Sequence, residues 1–160
     1  MERPRVYIET TIPSAYFDER RDPAMLARRE ATRRWWATAQ ERYELVTSIA
    51  TREELKKGPS ERQASWLGLI SELPVLQRTG RVAELAAAYV EHKVMPSNPL
   101  SDALHLAIAS YHECDYLLTW NFKHLANPNK FDHIRRVNAS KAAHVPRILT
   151  PLDLLEVNDG

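Results

Sequence analysis

The residues in this chain best suited to chemistry are acids placed at the edges of apolar segments. Glu9 directly follows the run Val6-Tyr7-Ile8, and Glu53 and Glu54 follow Leu45-Val46-Thr47-Ser48-Ile49. Asp102 stands near the start of the apolar stretch 100–111, and Asn121 comes just after Tyr116-Leu117-Leu118-Thr119. Carboxylates brought together repel one another, which favours their protonated forms. A divalent cation removes that repulsion, and a set of oxygen ligands suits Mg²⁺ or Mn²⁺ rather than zinc. Such an ion activates water and stabilises charge on a phosphoryl group. Glu9, Glu54, Asp102 and Asn121 therefore form the expected metal and catalytic set. Neighbouring helical residues point about 100° apart, so one of Glu53 and Glu54 faces the site. Register against Ser48 favours Glu54.

Each residue alone has a plainer explanation. A Glu after a strand is commonly a solvated surface group, and an acid in a first helical turn complements the helix dipole. The expectation rests on four segments, distant in sequence, converging at one edge.

The elements that would position them follow from hydrophobic pattern and punctuation. Residues 6–8, 45–49, 116–119 and 147–149 are predicted strands. Residues 23–42 are a predicted helix, with Asp22 as cap and Pro23 in the first turn. Further predicted helices cover 51–57, ending at Gly58-Pro59, and 60–72, capped by Ser60. Others cover 79–93, 100–111, 129–143 with Asn129 as cap, and 151–156. Strands separated by helices imply crossovers, hence a mainly parallel sheet with helices on both faces. Ligands of such sheets bind outside the carboxyl ends of the strands, where the acids are expected.

Composition narrows the class. A chain of 160 residues suits a single domain, here residues 1–160, and 44% hydrophobic with 27% charged residues is ordinary for a globular protein. The lone Cys114 cannot form an intramolecular disulfide, so a reducing cytoplasmic setting is expected. The opening MERPRVYIETT lacks the apolar core of a signal peptide. No window approaches the roughly 18 apolar residues of a membrane span. The net charge of +1 is modest for a nucleic-acid binder, although acidic metal ligands lower it. The four glycines, Gly58, Gly68, Gly80 and Gly160, allow neither a dinucleotide fingerprint nor a P-loop. There is no G-x-S-x-G elbow.

With these residues in view, the chain resembles the PIN-domain family. The resemblance is carried by Val-Tyr-Ile-Glu9-Thr10-Thr11-Ile-Pro-Ser, by Thr47-Ser48-Ile-Ala-Thr-Arg-Glu53-Glu54-Leu55, and by Asp102-Ala-Leu-His105-Leu-Ala-Ile-Ala. It extends through Leu-Leu-Thr119-Trp120-Asn121 with Phe122-Lys123-His124-Leu125, and through Ile148-Leu-Thr-Pro151-Leu-Asp-Leu-Leu. It implies a three-layer α/β/α fold, Mg²⁺ or Mn²⁺ at the acids, and cleavage of RNA. Many bacterial and archaeal members are VapC-like toxins, commonly dimeric and held inactive by a small antitoxin. The chain looks most like a subgroup with Glu-Thr-Thr-Ile-Pro-Ser and Thr-Trp-Asn. It departs from the usual pattern twice. Glu9 stands where Asp is usual, moving the carboxylate by about 1.5 Å. Asn121 stands where Asp is frequent, offering an oxygen without charge. The alternative expectation is accordingly a weakly active or inactive scaffold that binds RNA or protein.

Other residues carry two readings. Thr10 and Thr119 either serve the metal site or cap turns. His105, three residues after Asp102 on one helical side, either hydrogen-bonds an acidic ligand or packs as a core histidine, the second being preferred. His124, beside Lys123, either meets phosphate or is a surface residue. Arg28, Arg29, Arg33 and Arg34 beside Trp35 and Trp36 either contact RNA or a partner, or form a solvated face above one buried Trp.

Overall fold

The computed structural model describes residues 2–159. Its strands are β1 (Arg5–Ile8), β2 (Glu44–Ser48), β3 (Val75–Leu76), β4 (Tyr116–Leu118) and β5 (Arg147–Leu149). Its helices are α1 (Thr11–Tyr16), α2 (Pro23–Arg42), α3 (Ile49–Leu55), α4 (Ser60–Leu69), α5 (Gly80–Glu91), α6 (Ser101–Tyr111), α7 (Pro128–Ser140) and α8 (Pro151–Asp159). All pairings are parallel, in the order β3-β2-β1-β4-β5. The chain builds outward from β1 in one direction through β2 and β3, then returns to its other side for β4 and β5.

Side chains alternate across a strand, and here the alternation sorts the core into two halves. Tyr7, Val46, Leu117 and Ile148 point to one cluster, packed with α5, α6 and α7. Val6, Ile8, Leu45 and Leu118 point to the other, packed with α1, α2, α4 and α8. A sheet buried on both faces is the middle of a three-layer α/β/α sandwich. Burial of Tyr7, Ile8, Leu117 and Leu118 to 0% exposure leaves the polar ends of these strands as the accessible chemistry.

The predicted strands and the long helix 23–42 are found, the helix with Asp22 accepting from Met25 N. Beyond shifts of a few residues at helix ends, these details differ. A fifth strand, β3, pairs with β2. Residues 11–16 form α1 despite Pro13, which sits in the first turn, where a missing N–H is harmless. Ile49 is helical rather than strand, because Ser48 caps α3 by accepting from Thr51 N. Ser60 makes no cap hydrogen bond, Pro59 occupying the cap position, and α4 stops at Leu69. Asn127, not Asn129, caps α7; its side chain accepts from Asn129 N across Pro128.

Candidate metal centre

Glu9 is delivered by the end of β1, next to the ends of β2 and β4, and is only 2% exposed. The backbone before it is fixed by two threonines: Thr47 Oγ1 and Thr51 Oγ1 donate to Ile8 O at 3.0 and 3.2 Å. One carboxylate oxygen, Oε1, accepts from Thr11 N at 3.0 Å, from Thr119 Oγ1 at 2.8 Å and from Thr11 Oγ1. Those hydroxyls in turn accept from the chain leaving β4: Trp120 N donates to Thr11 Oγ1 at 2.8 Å, and Asn121 N to Thr119 Oγ1 at 3.0 Å. The second oxygen, Oε2, receives no hydrogen bond among the described residues. Burial pushes the Glu9 carboxyl above its ordinary range, against the opposing influence of His105 and the threonine donors. Thr11 and Thr119, rather than Thr10, hold this carboxylate.

Glu54 lies on α3 and keeps an opening to solvent, its side chain being 32% exposed. His105 Nε2 is 3.1 Å from Glu54 Oε1. Burial opposes ionisation of Glu54, but the hydrogen bond and charge of His105, with Thr10, outweigh it and hold the carboxyl at about 2. Glu53 is exposed, so the choice between the two resolves to Glu54 as the residue facing the cluster.

Asp102, in the first turn of α6, is 7% exposed. Burial raises its carboxyl above the ordinary range, with His105 and His124 opposing. Asn121 Nδ2 donates to Asp102 Oδ1 at 3.2 Å, while Asn121 Oδ1 accepts from His124 N at 3.0 Å. The amide thus holds Asp102 with its donor end and the following turn with its acceptor end.

His105 is the residue that reading the sequence undervalued. It is packed, at 0% exposure, and it also reaches the acids. Glu9, Glu54 and His105 each offer a ligand atom, and these atoms all lie within 4.8 Å of one another. Asp102 and Asn121 border that trio rather than belong to it. The three-residue offset from Asp102 was the one available signal. Burial lowers the His105 basicity, yet the Glu54 hydrogen bond and the charges of Glu9, Glu54 and Asp102 outweigh it, and the net shift is upward.

The donor set fits a divalent cation. Two carboxylates and an imidazole converge, and a nearly inaccessible carboxylate has one oxygen saturated and the other unengaged. Glu9 and Glu54, with Asp102 alongside, are the carboxylates that would hold it, and His105 lies among them.

The early helix is mixed in character. Trp35 is 1% exposed, whereas Arg29 and Arg33 donate to Asp18 O and Tyr16 O. Arg28 lies over the rings of Trp120 and Phe122, at 5.7 and 5.3 Å. His124 Nδ1 faces Lys130 Nζ at 3.3 Å.

The parallel sheet, its helical layers and the acids at its carboxyl edge define a three-layer α/β/α, PIN-like fold. The chain is similar to one in the crystal structure of VapBC2 from Rickettsia felis bound to a DNA fragment from their promoter. The superposition has a TM-score of 0.51 at 14% identity, covering 91% of this chain and 96% of that one. No protein-family profile matches the sequence, and no curated protein matches it significantly. No helix among the described residues is long and apolar enough to cross a membrane.

Proposed function

We propose that the chain is a single PIN-like domain acting as a metal-dependent endoribonuclease, the toxin of a type II toxin–antitoxin pair. The observation that supports this reading is the gathering of Glu9 and Glu54 around His105, with Asp102 bordering them from the first turn of α6, at the sheet edge where the strand order turns back. In open parallel sheets that crevice is the ligand site. The likeness of fold to a chain of the VapBC2 complex supports a small antitoxin protein as partner, and a homodimer and a cytoplasmic location belong to the same reading.

Glu9, Glu54 and Asp102 would hold Mg²⁺ or Mn²⁺, with Asn121 as an auxiliary group. When bound, the cation supplies a Lewis acid for the phosphoryl oxygens and lowers the pKa of water. The chain's own residues set the geometry. Thr11 and Thr119 fix one oxygen of Glu9 and leave the other without a hydrogen bond among the described residues. Asn121 orients Asp102, and His105 orients Glu54. The buried floor formed by Tyr7, Ile8 and Leu118 excludes water from beneath, which strengthens each charge interaction above it.

The test is cleavage of a mixed RNA pool by the purified chain. Activity should require Mg²⁺ or Mn²⁺ and disappear in Asp102→Asn; cleavage surviving both EDTA and that substitution sinks the proposal. One observation favours the second reading, a weakly active or inactive scaffold binding RNA or protein. Asn121 contributes no charge, and both ends of its amide are engaged within the protein. Calorimetric titration with Mn²⁺ separates the two, since clear binding that is lost in Glu9→Gln counts against the scaffold.

A further inference from the structure

We propose that His105 Nε2 is itself a metal ligand, making the centre a mixed nitrogen–oxygen site of Glu9, Glu54 and His105 that prefers a first-row transition-metal ion to Mg²⁺. This rests on the metal-site reading above and deepens it, because acids and an amide alone would make an oxygen-only site.

The geometry of the ring carries the argument. Metal-ligating histidines engage their other ring nitrogen with an oriented partner. Here Tyr7 OH lies 2.7 Å from His105 Nδ1 and 2.6 Å from Ser48 Oγ. Ser48 is also the cap of α3, the helix that carries Glu54. One hydroxyl thus ties the imidazole to the start of the helix bearing its neighbouring ligand. The Tyr7 ring meets the imidazole edge-on, with centroids 5.8 Å apart. With Nδ1 engaged and the ring enclosed, Nε2 is the nitrogen that meets Glu54, at the cluster that Glu9 completes.

Spacing agrees. Two ligands at about 2.1–2.2 Å from an ion, in adjacent octahedral positions, lie about 3.1 Å apart. The His105 Nε2 to Glu54 Oε1 separation is 3.1 Å. An ion bound by both atoms would take the place of the hydrogen bond between them, with Glu9 offering an oxygen within 4.8 Å of each. Thr10 Oγ1, 3.5 Å from Nε2, adds a further oxygen at the mouth.

Selectivity follows from the donor. Mg²⁺ favours oxygen and retains its waters, whereas affinity of a nitrogen-containing site rises along the first-row series. A single imidazole among carboxylates therefore weights the site away from Mg²⁺.

The decisive measurement is electron spin-echo envelope modulation on the full chain loaded with Mn²⁺, without RNA. A ¹⁴N modulation of the kind given by a directly bound imidazole is expected. It should persist in His124→Ala, which removes the other imidazole whose charge reaches Asp102, and vanish in His105→Leu. Calorimetry on the same proteins should show the preference for Mn²⁺ over Mg²⁺ falling by about tenfold or more in His105→Leu. That variant leaves Tyr7 OH without its ring partner, so the wild-type and His124→Ala spectra decide the matter even if it fails to fold. Bound Mn²⁺ with no nitrogen modulation, or modulation lost in His124→Ala, overturns ligation by His105 and leaves the metal site standing. Absence of any Mn²⁺ binding overturns both.

Discussion

Thr119 Oγ1 donates a 2.8 Å hydrogen bond to Glu9 Oε1 across 110 residues of sequence. The same hydroxyl accepts from Asn121 N. The end of β4 therefore fixes the carboxylate at the end of β1 through one side chain. Outer partners of a metal ligand are commonly worth 10–100-fold in affinity. Thr119→Val should lower Mn²⁺ affinity by about that range and cost about 1–3 kcal/mol of stability. Calorimetry and denaturant unfolding measure the two effects; unchanged Mn²⁺ affinity would show that the hydrogen bond does not orient a ligand.

Glu9→Gln separates the two demands on that position. The amide oxygen can accept the Thr11 and Thr119 hydrogen bonds while removing a buried charge. In EDTA the variant should melt at a higher temperature than the parent, because burial disfavours the Glu9 carboxylate. Added Mn²⁺ should then raise its melting temperature far less than the parent's.

The pH dependence has a definite sign. Glu9, Asp102 and His105 all have values raised in the folded chain. Their contributions to stability are complete below their unfolded values and are lost as pH rises through the folded ones. Glu54 runs the other way: its contribution is present above the ordinary carboxylate range and is lost as pH falls toward about 2. In EDTA the melting temperature should therefore fall as pH rises above the ordinary carboxylate and imidazole values, since all three groups are shifted upward in the folded chain. Saturating Mn²⁺ competes with those protons, so the metal-induced rise in melting temperature should grow with pH. A rise that shrinks with pH would contradict the assignment.

Asn121→Asp tests the uncharged corner. It replaces a donor to Asp102 with a second carboxylate at a contact of 3.2 Å. The metal-free protein should lose about 1–3 kcal/mol, from the missing hydrogen bond and the like-charge contact. Mn²⁺ should bind more tightly, by about tenfold, if the new charge joins the site. Differential scanning fluorimetry with and without metal shows both shifts.

Tyr89→Phe serves as the contrast. Tyr89 OH donates to Asn138 Oδ1 in the buried layer behind α6, and Asn138 also binds Ser110 Oγ and His144 O. Losing that donor should cost about 1–3 kcal/mol and leave Mn²⁺ affinity unchanged. A loss of affinity would mean that this network also shapes the metal centre.

The fold was legible where the pattern was long or unambiguous. The apolar runs at Val6–Ile8 and Tyr116–Leu118 and the capped stretch from Asp22 to Arg42 announce themselves. β3 did not, because two residues with no flanking alternation carry no period. α1 was hidden by Pro13, which reads as a break unless its place in the first turn is known. Of the site, the acids were visible because each adjoins a strand or helix boundary. Register against Ser48 already favoured Glu54 over Glu53, and Ser48 is the residue that caps α3, one position before the apolar run ends. His105 was hard to weigh because a histidine on an apolar helix has the same local sequence whether it packs or hydrogen-bonds an acid. Here it does both, and only the approach of Glu54 from α3 reveals the second.

The central position of β1 has a consequence for when the site comes into being. Its partners lie in parallel on both sides, β2 from residue 44 and β4 from residue 116. Parallel pairing of segments so far apart forms slowly, because long loops must close before contacts repay them. Until β4 docks, Glu9 lacks Thr119 and Asp102 lacks Asn121. The candidate site is then completed late in the maturing chain. A molecule stalled with β1 unpaired on one side would present an open strand edge and an incomplete ligand set at once, so failed folding and lost chemistry would coincide.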